Sequence, residues 1–205
     1  PARTVIDCPG SGEDASSVID SCMVQDPHTG RIHVLIDHFP GGIGQPNCWA
    51  STGFDEQGRR LLRDLDDGRY VVEADGKVTT IDGQATEFRI EDDGTVLRDG
   101  HPAGNFELAP GADPAESLLA IPTSYLQIAH SDDDGVTWSK PRDLNPQLKQ
   151  PWMRFLGTCP GNGIALRHGP RPGRLVVPLY FNNDGNWLAM CATVAYSDDH
   201  GETWN

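Results

Sequence analysis

The chain carries one octet twice, Ser131-x-Asp133-x-Gly135-x-Thr137-Trp138 and Ser197-x-Asp199-x-Gly201-x-Thr203-Trp204, 66 residues apart. Five identities at fixed spacing constrain the fold more than any other feature, because an internal repeat implies a unit that stacks on copies of itself. The octet has the chemistry of a turn. Ser and Asp side chains fold back onto nearby backbone amides, glycine accepts a positive φ, and tryptophan opens the next strand with a ring to pack between neighbouring units. Calcium binding is the alternative for "DDDG", but the alternating Asp spacing and distal Glu of a calcium loop are missing. The acids are therefore structural rather than catalytic.

Two further stretches repeat with the octet. "TGRIHVLIDHF" at 29–39 matches "PGRLVVPLYF" at 172–181, and both run from a Gly-Arg turn into aliphatic residues. Ile32, Val34 and Ile36 alternate with His33, Leu35 and Asp37, the period of a strand. "SYLQIAH" and "MCATVAY" supply another strand immediately before each octet. The unit is thus strand, Gly-Arg strand, strand, octet turn and a short last strand, which is the anatomy of a propeller blade. Glycine (23) and proline (16) together make up nearly a fifth of the chain, which suits short strands and turns and disfavours long helices.

The two copies differ in length. Gly30 to Ser131 spans 101 residues, whereas Gly173 to Ser197 spans 24, so 77 residues are inserted in the first blade. A structureless loop of that size does not suit a compact domain. Asp75-Gly76 and Asp93-Gly94 mark two hairpins inside it. The fold expected is all-β: residues 1–53 hold the end of one blade and the first half of the next, 54–120 an inserted small β-domain, and 121–205 the rest of that blade and most of the following one. The segment "LAPGADPAESLLAIP" reads as the exit linker with one short helical turn, and "PGNG" at 160–163 as a turn. The end just past Trp204 reads as a truncated blade.

A net charge of −14 disfavours nucleic acid and anionic membrane as partners. The sequence has no run of 18 apolar residues for membrane insertion. Five scattered cysteines and seven histidines show no metal-ligand spacing, and no cofactor motif is present. An anionic substrate would need a local arginine cluster to overcome the global field.

The octet resembles the Asp box of sialidases and related propellers. With "SSVIDSCMVQDPHTGRIHVLIDHFP", "SYLQIAHSDDDGVTWSKPRDLN" and "KQPWMRFLGTCPGNGIAL", the chain is similar throughout to large secreted or cell-surface bacterial exo-α-sialidases with a β-domain inserted in the catalytic propeller. The resemblance implies a partial six-bladed propeller of about two blades. It also implies sialylated glycans or glycoconjugates as partners. Such enzymes hold the sugar carboxylate with three arginines, protonate the leaving group with an Asp and attack with a Tyr/Glu pair. A neutral tyrosine suits an anomeric carbon whose carboxylate would repel an anionic nucleophile, a departure from the two-carboxylate scheme.

By this resemblance, the arginine triad, the acid and the Tyr/Glu pair are expected outside this chain, and an isolated chain is expected to be inactive. Asp20 matches an acid that contacts the sugar from an innermost strand. Phe39 matches a residue lining the N-acetyl pocket. Relatives place aromatic residues where this chain reads "GGIGQPNCW", so Trp49 is the candidate replacement. Arg154, Arg174, Tyr180 and Tyr196 are substitutes for the missing machinery by type alone, and Arg174 and Tyr196 are assigned to repeat packing. A non-catalytic carbohydrate-binding or adhesion propeller stays open as the alternative.

Overall fold

The computed structural model describes residues 2–112, 117–182, 186 and 188–205. Strands β1 (Ser17–Gln25) and β2 (Ile32–Phe39) come first. Seven shorter strands follow: β3 (Leu61–Arg63), β4 (Arg69–Val72), β5 (Lys77–Thr80), β6 (Ala85–Ile90), β7 (Thr95–Arg98), β8 (His101–Asn105) and β9 (Leu119–Ala120). Then come β10 (Tyr125–Ser131), β11 (Arg142–Asp143), the single helical turn α1 (Asn145–Leu148), β12 (Leu156–Thr158), β13 (Gly161–Asn162), β14 (Ile164–Ala165), β15 (Leu175–Asn182) and β16 (Met190–Ser197). Helix is otherwise confined, among the described residues, to two 3-10 turns. None of it is long and apolar enough to cross a membrane.

Three sheets result. The first is β11-β10-β2-β1-β13 and holds a complete four-stranded antiparallel blade. The second places β12 and β14 along one side of β15 and β16 along the other. Each Gly-Arg strand, β2 or β15, is thus the middle of its sheet. Strand β2 is buried along nearly its whole length, so its period of two separates two covered faces rather than core from solvent. Leu35 joins Leu126, Ile128, Leu175, Val177 and Trp204 in the core shared by the two blades. Val34 and Ile36 pack on Ala129, with Ile6, Val18 and Trp138 partly covering them. Each large apolar side chain so buried contributes about 1.5–3 kcal/mol.

Residues 61–120 form the third sheet, ordered β8-β7-β6-β5-β4-β3-β9. Its hairpins turn at Asp-Gly pairs: Gly76 and Gly94 take φ of 81° and 84° after Asp75 and Asp93. Those aspartates accept the N–H of Lys77 and Thr95 at 3.1 and 3.0 Å. The sheet curls until its ends meet, for Ala120 N–H donates to the carbonyl of Phe106, just past β8, at 2.8 Å. Leu62, Val78, Val96, Phe106 and Leu118 fill its interior, together with Tyr125 from β10. Gly41 fastens it to the blade by donating to Glu107 O at 2.7 Å. A Cβ there would lie 2.2 Å from Asp14 O and 2.3 Å from Ala109 N, so the approach requires glycine.

One local expectation is corrected. "PGNG" is not only a turn: Gly161 and Asn162 form β13 and pair in parallel with Cys22 and Met23 of β1. The innermost strand of the second blade therefore crosses to the first, with Gly163 N–H donating to Met23 O at 2.8 Å. Of the linker expected to hold a helical turn, residues 113–116 lie outside the described residues and Leu119–Ala120 is a strand.

The octets are built alike. Ser131 Oγ donates to Asp133 Oδ1 at 2.8 Å and accepts Gly135 N–H at 2.9 Å, and Asp133 receives the N–H and hydroxyl of Thr137 at 2.8 and 2.6 Å. In the second octet the same four bonds measure 2.8, 2.9, 2.9 and 2.5 Å. These donors hold the Asp133 carboxyl down at about 2. The indoles differ in surroundings. Trp204 is 2% exposed in the inter-blade core and meets His33 edge-on, whereas Trp138 is half-buried on the outer face. Trp204→Ala should therefore cost about 3–5 kcal/mol and Trp138→Ala clearly less. Ser197→Ala, which strands the buried Gly201 N–H, should cost about 1–3 kcal/mol. Urea midpoints of the three variants check the order.

Candidate functional site

Strand β1 is irregular at one place. Its register against β2 shifts between Ile19 and Cys22, and Asp20 takes a φ of 53°. A non-glycine residue in the left-handed region costs about 1–3 kcal/mol unless its surroundings hold it there. Here the Thr158 hydroxyl donates to Asp20 O. The bulge redirects a half-buried carboxylate on β1, between β2 and β13.

Three elements converge on that carboxylate. Tyr180 of β15 donates its hydroxyl to Asp20 Oδ2 at 3.3 Å and accepts Gln45 Nε2 at 3.0 Å. Behind it, the Phe155 ring lies 4.8 Å from the Tyr180 ring, and Phe39 stacks on Phe155 at 6.1 Å and 8°. Phe39 is itself only 2% exposed, and Cys48 completes the cluster. The loop bearing Gln45 is held by Arg154, whose Nε and Nη2 donate to Cys48 O and Pro46 O at 2.6 and 3.1 Å.

A second acid lies beneath Asp20. Asp37 is fully buried, and its Oδ1 accepts the N–H of Thr158 at 2.7 Å while Oδ2 has no partner. A Cβ on Gly157 would come within 2.2 Å of that oxygen, so glycine is required beside it. Burial, opposed in part by the Thr158 N–H and reinforced by the nearby Asp20 charge, pushes the Asp37 carboxyl up to about 8. It is therefore a neutral acid at pH 7. The Tyr180 hydroxyl is pushed up to about 12, chiefly by burial and then by the Asp37 and Asp20 charges, so it too stays neutral.

The remaining sequence candidates lie apart from this cluster. The Trp49 ring, 37% exposed, sits under the guanidinium groups of Arg63 and Arg69, both at 5.4 Å. Arg174 pairs with Asp198 and lies 3.9 Å over the Tyr196 ring, the packing assigned to both. Among the described residues no group of three or more His, Cys, Asp or Glu could hold a metal ion. Sequence reading left Asp37, Gln45 and Thr158 without a role and Tyr180 unassigned. One signal was available: aligning Gly30 with Gly173 puts Asp37 and Tyr180 at the same repeat position.

Asp37 makes stability depend on pH. Its folded value lies above the unfolded 3.8, so between about pH 4 and 8 the folded state holds a proton that the unfolded state has lost. Stability should fall as pH rises through that window, by up to about 1.4 kcal/mol per unit. Asp37→Asn keeps an acceptor for Thr158 and cannot ionise. Its urea midpoint should decline less than that of the parent between pH 5 and pH 8, the interval set by the raised carboxyl.

No protein-family model matches the chain. The anhydrosialidase of Macrobdella decora is 30% identical to it, over 94% of this chain and 28% of that protein. Sialidase B of Streptococcus pneumoniae is 28% identical over 93% of this chain and 29% of its own length. The chain thus spans less than a third of the length of these curated relatives. Among solved structures, the intramolecular trans-sialidase of Ruminococcus gnavus, in complex with oseltamivir carboxylate, superposes with a TM-score of 0.75 at 25% identity, covering 96% of this chain and 44% of that one. The chain is thus similar along nearly its whole length, in sequence and in backbone, to sialidases.

Proposed function

We propose that the chain is part of the catalytic propeller of an exo-α-sialidase, and that Asp20 forms one wall of its sugar pocket. The observation that carries the reading is the positive-φ bulge on β1 that turns the Asp20 carboxylate toward Tyr180 and Gln45. A carboxylate and two neutral hydrogen-bonding groups suit sugar hydroxyls, which both donate and accept. Asp20 would repel the sugar's own carboxylate, so it faces the hydroxylated side of the ring. Neutral Asp37 adds no second charge next to an anionic ligand, a useful property in a chain of net charge −14.

In this reading residues 54–120 are an insert carried by the first blade, and the arginine triad, acid and Tyr/Glu pair come from other parts of the whole protein. Phe39 supports the pocket from behind through Phe155, and Trp49 lines no part of it. Strand β16 leaves Met190 and Val194 exposed, the face that a following blade would cover. The names of the relatives favour one refinement. An anhydrosialidase and an intramolecular trans-sialidase are among them, so a hydroxyl of the bound sialyl group can attack its own anomeric carbon in place of water, losing its proton as the bond from that carbon to the departing group breaks.

The whole protein should release the fluorophore from a fluorogenic sialoside, and the isolated 205-residue chain should not. In the whole protein Asp20→Ala should raise KM at least about tenfold, the cost of losing a charge-assisted hydrogen bond, with the fold unchanged by circular dichroism. Mass spectrometry of the product separates hydrolysis from internal transfer, since the anhydro sugar is lighter by one water. Glycan binding by the whole protein without turnover would establish the lectin-like alternative, and turnover by the isolated chain would sink the division of labour.

A further inference from the structure

A cavity of about 740 Å³ opens where the first blade meets the seven-stranded sheet, and neither Asp20 nor Tyr180 lines it. Its charge is one-sided. Asp7, Glu91, Asp92, Asp93, Glu107 and Asp143 line it, against only two cations, Arg60 and Lys140. Both cations are taken: Arg60 pairs with Asp143, and Lys140 Nζ lies 3.2 Å from Asp92 Oδ2. Arg60 also acts on Glu107 and Lys140 on Asp93, which leaves Asp7 and Glu91 as the lining carboxylates without a lining cation. A cleft lined by one sign of charge focuses its field and concentrates ions of the other sign.

An independent observation comes from His38 of β2. It is 2% exposed, lines the cavity, and has no hydrogen-bond partner at either ring nitrogen. The nearest carboxylate oxygen, Glu107 Oε2, stands 3.7 Å from Nε2, too far for a direct bond. Buried polar groups are nearly always satisfied, so an orphaned imidazole calls for a partner. The two groups face each other without satisfying each other, so a donor entering between them needs only a small widening of the gap. Burial also drives the His38 imidazolium down to about 4, so the ring is neutral and presents an acceptor nitrogen.

We propose that this cavity binds a small primary alkylamine, its ammonium donating to His38 and to the Glu107 carboxylate. An ammonium carries three donors and a positive charge, which match a lining of acceptors and carboxylates. An anion would meet six carboxylates against two cations. A neutral polyol would gain nothing from the field. The carbon stem of the amine has Phe106, Ile90 and Val72 to lie against. The site is independent of the sialidase reading, because no group placed near Asp20 takes part.

Calorimetric titration of the protein with 1,4-diaminobutane, lactose and N-acetylneuraminate, at low salt, tests the assignment. Saturable binding of the diamine alone is expected, weakened by high salt and reduced at least about tenfold by Glu107→Gln. Glu91→Gln, on the exposed turn at the mouth, removes a charge without touching the buried end and should weaken binding roughly threefold. That second variant keeps the test decisive should Glu107→Gln fail to fold. Binding of lactose or N-acetylneuraminate in place of the diamine overturns the proposal. So does the absence of saturable diamine binding, or diamine affinity unchanged in every folded variant.

Discussion

The ladder between β2 and β10 runs from His38–Tyr125 to Ile32–Ser131, and the rest of the molecule answers to it. Two strands separated by residues 40–124 are held as direct neighbours, so everything between them must leave and re-enter the blade at one end. The entropy of closing so long a loop grows only slowly with its length. It is offset most readily if the intervening chain folds on itself through local contacts, and the Asp-Gly hairpins from β4 to β8 are local. Once Ala120 bonds back to Phe106, the two ends of the segment are brought close together. Gly41 and Tyr125 then lock it to the blade, one through backbone contact and one by filling its core.

The candidate site follows from the same arrangement. Asp20, Asp37 and Tyr180 come from β1, β2 and β15, the inner and middle strands of adjacent blades, so their mutual geometry is set by inter-blade packing rather than by a loop. Thr158 links them most directly, since its hydroxyl reaches Asp20 O and its amide reaches Asp37. Two acids with opposite roles result. One is redirected, half-buried, by a strained bulge, and the other is kept protonated by burial and forms the floor. Beneath the neighbouring loop the buried Lys149 Nζ donates to Thr123 Oγ1, Ser124 O and Ser124 Oγ at 2.6, 2.9 and 3.0 Å, which fixes the base of the segment that Arg154 holds from above.

Much of the fold was legible because repetition is written in residues of unambiguous chemistry. The octets, the Gly-Arg turns and the Asp-Gly pairs each dictate a local shape. The all-β architecture and the hairpins of the seven-stranded sheet follow from them. What was not legible depends on tertiary context. No pattern in "TCPGNG" says that Gly161 and Asn162 will leave their own sheet to pair with β1. The alternation in "IHVLIDHF" gives the sidedness of β2 but not the burial of both sides. Asp20 was singled out through family likeness, and the structure sets it beside Tyr180. Asp37 and Tyr180 emerge only when the two repeats are superposed, and Trp49, promising by type, is turned toward the arginines of the seven-stranded sheet.

Repeat proteins are often additive, each unit touching only its neighbours and contributing its own share of stability. The crossing of β13 onto β1 removes that modularity here. One sheet borrows its innermost hydrogen bonds from the next unit along the chain, so the first blade cannot complete its edge unless the second is folded, and the second cannot fray inward without exposing the first. The two sheets are thereby joined by backbone hydrogen bonds as well as by side-chain packing. The boundary along which this protein could be divided therefore runs around the seven-stranded sheet rather than between its repeats.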